Sequence, residues 1–323
     1  MAELAQRAEE AGFDQIWIAD SHAIFRELYV TLTAMALRTR RVNLGPIATS
    51  NRTRHPTITA AAMAALDEVT GGRALLGFSV GGSSNRAIGA RQSRVKECEE
   101  SIGLIRKFWR GEPVTPACPP FRFPCRQIPL YFTGSGPRVL TMAARVADGV
   151  IISATAFPLA VRKKVEMVRK ASREAGRGPT ELKVGCEVNC CVSEDSQTAK
   201  HMVKPLIVHL GVIQPELFQL AGIDIDMNQF RKAHSSQADL MHSSRWEKAI
   251  EASAFVTDEM VEKFFVAGTA GECLSKVKAL AAEDLDHIVI RPFLSSQDPS
   301  RLEFDQSYII DSFGREIIPR LVG

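Results

Sequence analysis

The sequence predicts an α/β fold: one TIM-type (β/α)8 barrel spanning residues 1–323, with a helical insertion at 194–257. Three observations lead there. Apolar runs of strand length alternate with segments of helical period along most of the chain. The run 74–80 (ALLGFSV) is almost unbroken, as expected of a parallel strand covered on both faces. Finally, strand ends empty into loops of small residues, at Gly81 to Ser84 and again at Gly134 to Gly136. In a parallel barrel all such loops lie on the edge where ligands sit.

Taken in order, the elements begin with a helix. Leu4, Ala8 and Ala11 share one face and Gly12 ends it; 13–19 is then a strand. A barrel of this kind starts with a strand before its first helix, so the first strand is expected to be missing here, or replaced by another segment. Tyr29 to Leu37 is the next helix and Val42 to Ala48 the next strand. Pro56 is placed to open a helix carrying Ile58, Ala61, Ala62, Ala65, Leu66 and Val69 at helical spacing, and Gly71 with Gly72 stops it. Val95, Cys98, Ile102 and Ile105 mark a helix stopped by Gly111. Residues 113–124 hold five prolines and no period, an extended excursion before the pattern resumes at Pro129. A helix follows Pro137, a strand runs from Gly149 to Ser153, a helix from Leu159 to Ala175 and a strand from Leu182 to Val192. The polar, helical stretch 194–257 is longer than one crossover needs and is expected to pack over the barrel mouth. Helices at 259–265 and 273–282, a last strand at 288–291 and a closing helix at 304–318 complete the chain.

Composition narrows the classes. A length of 323 residues suits one large barrel better than two domains, and 45% hydrophobic residues supports a sizeable core. A net charge of +3 argues against nucleic acid or an anionic membrane as partner. Arg38, Arg40 and Arg41 form a solvated helix end that complements its dipole. No apolar run is long enough to span a bilayer and no signal peptide is visible, so a cytoplasmic protein is expected. The seven cysteines follow no metal spacing: Cys118 and Cys125 flank the proline-rich stretch, and Cys186, Cys190 and Cys191 lie in a strand. They read as reduced thiols packed as small apolar residues. His201, His209, His234 and His242 have no metal-ligand spacing either.

Six segments, in order along the chain, carry a family resemblance: FDQIWIAD (13–20), LGPIATSNRTRHP (44–56), LDEVTGGRALLGFSVGG (66–82), RKFWRGEPV (106–114), PLYFTGSGPRVLTMAARVADGVI (129–151) and VAGTAGECLSKVKALAAEDLDHIVIRPF (266–293). The sequence resembles the luciferase-like flavin and deazaflavin oxidoreductases, nearest the methylenetetrahydromethanopterin reductase-like, F420-dependent branch. The resemblance implies a small-molecule substrate and a homodimer or homotetramer.

The candidate site residues follow the strand ends. Gly134, Ser135 and Gly136 precede Pro137 at a helix start, where glycines allow an anion close to exposed amides. The resemblance implies that this turn holds the cofactor phosphate. Ser79, Val80 and Gly81 are expected to meet the cofactor through their backbone; many relatives place an acid or an arginine in this loop, where this chain has Val80, Gly81 and Gly82. By the same resemblance, Ile47, Ala48 and Thr49 lie behind the flavin-like ring, with a cis peptide at Ile47–Ala48. Asp20 and His22 stand at another strand end and are the candidate catalytic groups, able to orient the ring or move a proton. In alcohol-oxidising deazaflavin relatives the Asp and His are adjacent; here Ser21 intervenes. Arg54, His55 and Pro56 begin a helix and read as structural.

Three functions stay open at this level. The first is hydride transfer between coenzyme F420 and a small organic substrate, the cofactor carrying the redox chemistry. The second is an FMN-dependent monooxygenase that uses reduced flavin and oxygen. The third is a degenerate, non-catalytic flavin-binding barrel, suggested by the missing first strand and by the absence of an acid at Val80, Gly81 and Gly82; fold resemblance does not separate the three.

Overall fold

The computed structural model describes residues 1–116, 119–123, 125–153, 155–236, 246–292 and 302–321. The chain gathers into two compact units. The first comprises Met1–Ser153 and Glu166–Gly185; the second comprises the described parts of 154–165 and 186–323.

The first unit alternates helix and strand. It opens on α1 (Ala2–Glu10), whose Leu4, Ala5 and Ala8 are buried. β1 (Gln15–Ile18) follows, then α2 (Leu28–Ala36), capped by the Glu27 carboxylate accepting from the Val30 amide at 2.8 Å. β2 (Asn43–Pro46) leads to α3 (Pro56–Thr70), which has proline in its first turn and Gly71 at φ 67° closing its end. β3 (Leu76–Phe78), α4 (Ser83–Ala87), α5 (Val95–Trp109), β4 (Leu130–Gly134), α6 (Pro137–Val146) and β5 (Gly149–Ser153) complete the series. α7 (Pro158–Glu174) and β6 (Lys183–Val192) each begin in one unit and end in the other.

The pairings described among β1 to β5 are parallel. β1 pairs with β2 from Gln15↔Asn43 to Ile18↔Pro46, and β4 pairs with β3 and β5. Single bridges at Leu44↔Ala74 and Thr49↔Phe78 carry the sheet from β2 to β3. Three strand glycines make this close approach possible. A Cβ on Gly45 would strike the Leu75 carbonyl, one on Gly77 the Pro46 carbonyl, and one on Gly149 the Tyr131 ring. The space they leave is filled by Trp17 and Tyr131, packed edge to face at 5.4 Å.

The starting edge of these strands is tied down by ions. The Glu9 carboxylate accepts from the amides of Arg40, Arg41 and Val42 at 2.6–3.1 Å. Burial pulls the Glu9 carboxyl up, but those three amides and the Arg41 charge bring it below the usual carboxylate range. Asp67, 7% exposed, is held by both arms of Arg126 at 2.8 and 2.9 Å and accepts from the Ala74 amide. Arg73 donates to the Val42 carbonyl at 2.6 Å, and Asp148 accepts from the Leu130 amide at 2.8 Å.

In the second unit β6 continues into α8 (Ser196–Ile213), α9 (Glu216–Ala221), α10 (Met227–Ser236), α11 (Trp246–Ala252) and α12 (Asp258–Phe264). β7 (Val266–Gly268), α13 (Ala270–Ala281), β8 (His287–Pro292) and α14 (Leu302–Ser312) follow, with a π turn over Phe313–Ile317 and a 3-10 turn over Ile318–Arg320. β6 pairs in parallel with β7 from Cys190↔Val266 to Val192↔Gly268, and also pairs with β8.

Three features depart from the sequence reading. β7 is not foreseen; with it the described residues hold eight strands, one more than expected, and no strand precedes α1 among them. α4, only five residues long, is also unforeseen. And the described parts of 194–257 are largely helical but not polar throughout. Val203, Ile207, Leu210, Phe218, Phe230 and Trp246 form a core with Phe264 and Phe265. The 3.6-residue period of Val203, Leu206, Ile207 and Leu210 is interrupted in sequence by Lys204, Pro205 and His209, which hides the stripe. Within this core region His209 and His234 hydrogen-bond to each other at 3.0 Å. No group of three or more metal-binding side chains occurs among the described residues; Cys118 and His242 lie outside them. No described helix is long and apolar enough to cross a membrane.

Candidate active site

The ends of β1, β2, β3 and β4 open side by side along one edge of the first unit, because the parallel register sets Ile18 beside Pro46, Thr49 beside Phe78, and Phe78 beside Phe132. Every sequence-predicted site residue falls on this edge.

After β1 the carboxylate of Asp20 is buried and paired: Arg54 Nη1 lies 2.6 Å from its Oδ2. The same guanidinium reaches Glu27 Oε1 at 3.0 Å and lies 5.1 Å from the centre of the Tyr29 ring. Burial raises the Tyr29 phenol to about 12 against the opposing pull of Arg54, so the ring stays neutral at physiological pH. Two carboxylates and an aromatic face therefore fix Arg54. Arg54 holds Asp20 through Oδ2. Losing Arg54 would strand a buried carboxylate, a cost of about 3–5 kcal/mol. His22, two residues on, is exposed. Ser21 between them is buried, its hydroxyl 3.1 Å from that of Ser83 at the start of α4, so the loops after β1 and β3 touch.

After β2 the Ile47–Ala48 peptide bond is cis, as the family resemblance implies. The ladder continues through it: the Ile47 amide donates to the Ile18 carbonyl at 2.7 Å and the Thr49 amide to the Gly77 carbonyl at 3.1 Å. The Thr49 hydroxyl, 1% exposed, has no hydrogen-bond partner among the described residues. After β3 the Ser79 amide donates to the Thr49 carbonyl at 3.0 Å, and the Ser79 hydroxyl accepts from the Gly81 amide at 3.1 Å. Val80 is half-buried, and Gly81 adopts φ 85°.

After β4 the turn is different. Gly134 is required by packing, since a Cβ there would press on Val139 at 2.6 Å. Ser135 and Gly136 are half-exposed. Gly136 caps α6 with an extended backbone, no described side chain caps that helix, and a Cβ on Gly136 would meet nothing within 4 Å. The start of α6 thus carries no described side-chain cap and leaves room beside Gly136, the condition under which a helix start takes an anion.

Sequence reasoning missed the partner of Asp20. In sequence Arg54 reads as structural because it precedes a helix; His55 caps α3 by accepting from the Thr57 amide, and Arg54 reaches back 34 positions to hold Asp20. It also missed Asn85, 0% exposed, whose amide joins the loops after β2 and β3.

The strands, the glycine turns at their ends and the helix start above them define a class, and comparison with known proteins agrees. The chain belongs to the luciferase-like monooxygenase family, whose profile matches residues 1–287. Among its relatives, the 5,10-methylenetetrahydromethanopterin reductase of Methanolobus tindarius is 29% identical over 300 residues, covering 90% of this chain and 89% of the relative. An F420-dependent glucose-6-phosphate dehydrogenase of Nakamurella multipartita is 28% identical, covering 99% of this chain and 92% of that one. The fold is shared with the coenzyme F420-dependent tetrahydromethanopterin reductase of Methanopyrus kandleri, at a TM-score of 0.80 and 24% identity, covering 99% of this chain and 94% of that chain.

Proposed function

We propose that this protein is an oxidoreductase that transfers a hydride between coenzyme F420 and a small organic substrate. The observation that carries the proposal is the open, uncapped start of α6 at Gly136, set on the same edge as the three other strand ends. The residues fit such a cofactor. Gly134, Ser135 and Gly136 would take its phosphate on backbone amides. Ile47, Ala48 and Thr49 would lie against its ring, where the unpaired Thr49 hydroxyl is one polar atom still wanting a partner. Ser79, Val80 and Gly81 would meet it through the backbone. When bound, the deazaflavin supplies the carbon that gives or takes the hydride.

The protein's own part is then mainly to hold two ligands in line. Asp20, fixed by Arg54, orients a donor on the ligand; exposed His22 is placed to exchange a proton with solvent. The described cysteines are free thiols, five of them buried, which supports a reducing, cytoplasmic setting. Exposed apolar side chains support assembly into a homodimer or homotetramer: Val30 and Leu37 at α2 are 71% and 73% exposed, and Ile58 on α3 is 59% exposed. Light scattering on the purified protein checks the assembly.

Anaerobic titration with F420 and, separately, with FMN tests the function. Saturable F420 binding, with substrate-dependent bleaching or recovery of the deazaflavin absorbance, is the expected result. Oxygen consumption with reduced FMN and no F420 binding would replace this reading by the monooxygenase one. Binding of neither would leave the non-catalytic barrel.

A further inference from the structure

Asn85 lies in α4, fully buried beneath the loop that follows β3. Its side-chain amide is engaged at both ends. Oδ1 accepts from the Ser50 hydroxyl at 2.9 Å, while Nδ2 donates to the carbonyls of Val80 at 3.3 Å and Arg91 at 3.2 Å. Two carbonyls at one end fix which end carries the nitrogen. The partners come from three stretches of chain. Ser50, 1% exposed, belongs to the loop after β2; Val80 belongs to the loop after β3; Arg91 lies beyond α4. Gly81 passes so close above that a Cβ there would run into the Asn85 amide.

A buried amide is costly to desolvate and contributes only when all its partners are in place. An apolar side chain of similar volume would fill the same space without that demand. What the amide adds is direction: its bonds fix the loop after β3 against the loop after β2, beside the Ser79-to-Thr49 and Thr49-to-Gly77 backbone bonds and the Ser93-to-Asn51 side-chain bond. We propose that Asn85, with Ser50, is a positioning residue that sets the backbone of Ser79, Val80 and Gly81 relative to that of Ala48 and Thr49. This rests on the reading that those two stretches meet the cofactor.

The test uses Ser50→Ala, Asn85→Asp and a control, Thr70→Ala. Asn85→Asp keeps the shape but turns an acceptor towards two carbonyls. Thr70→Ala removes a buried hydroxyl that donates to the Asp67 carbonyl at 3.0 Å near the opposite edge. F420 affinity, thermal midpoint and amide exchange at Ser79 and Gly81 are measured for each. Expected are an affinity loss of about 10-fold or more in Asn85→Asp, a smaller one in Ser50→Ala, and faster exchange at both amides in both. Thr70→Ala should lower the midpoint as much as Ser50→Ala while keeping wild-type affinity, and Ser50→Thr, which retains the hydroxyl, should restore binding. Wild-type affinity and slow exchange in Ser50→Ala and Asn85→Asp would overturn the proposal, as would equal affinity loss in the control. If the wild type binds neither F420 nor FMN, the cofactor reading fails, and exchange alone decides: acceleration upholds the positioning role and unchanged exchange overturns it.

Discussion

Gly81 and Gly136 follow neighbouring strands on one edge, and the two glycines serve different ends. Gly81 has φ 85°, and a side chain there would collide with the buried amide of Asn85. Gly136 has φ −78°, which any residue adopts, and a Cβ there would meet nothing. The first is glycine because of what the chain packs beneath it. The second is not required by φ or by packing; on the proposed reading it is glycine so that the cofactor phosphate can approach. A glycine-rich strand end in a sequence therefore mixes two kinds of position, and only the surroundings separate them.

Substitution should separate them by experiment. The largest effect is expected for Gly81→Ala, which meets both an unfavourable φ and an overlap with Asn85. A loss of about 2–4 kcal/mol is predicted, read by chemical denaturation. A loss within experimental error would mean that the loop moves aside easily and that the two glycines are alike. Gly136→Val should do the reverse. Stability should fall by about 1 kcal/mol or less, as for a changed helix cap, while cofactor affinity falls about 10–100-fold because backbone approach is blocked.

Turnover at saturating cofactor probes the edge between them. Asp20→Asn and His22→Ala should each lower it by about 10–100-fold, less than is typical of an indispensable acid–base group. Asp20 should lie at the upper end because Arg54 holds it in place, and exposed His22 at the lower. Abolished turnover with intact binding would make either residue an obligatory proton carrier.

The smallest effect concerns acid. Glu97 gathers Arg91, the Arg94 amide and Arg52, so it ties the chain near Asn85 to the loop after β2. The Arg91 bond first, then the Arg94 amide, hold its carboxyl down at about 2. Its folded value lies below the unfolded value of about 4.3, so its stabilisation is full above that pH and is lost as pH falls towards 2. Glu97→Gln should flatten the midpoint-against-pH curve in that window. An unchanged slope would remove Glu97 from the anchoring of these loops.

How much of this was legible before the structure depended on range. The alternation of strands and helices was, because period and glycine or proline stops are local; Gly149 to Ser153 falls on the expected bounds. The register of the cis bond came with the family resemblance, since Pro46, Ile47 and Ala48 carry no local sign of it. β7 was hidden because three residues cannot show a period of two. The Asp20 to Arg54 pair and the Ser50 to Asn85 bond join residues 34 and 35 positions apart, and nothing in a single sequence marks such partners. Candidate site residues were thus found by their place at strand ends, while the groups that hold them were not.

The account stands most directly on one titration: F420 binding to the wild type and to Gly136→Val, with thermal unfolding followed on the same samples. Saturable binding by the wild type, weakened about 10-fold or more in a variant that unfolds within a few degrees of it, is the predicted result. Equal affinity in the two would make the open turn after β4 only a turn, and would contradict the placement of the cofactor phosphate at Gly134, Ser135 and Gly136.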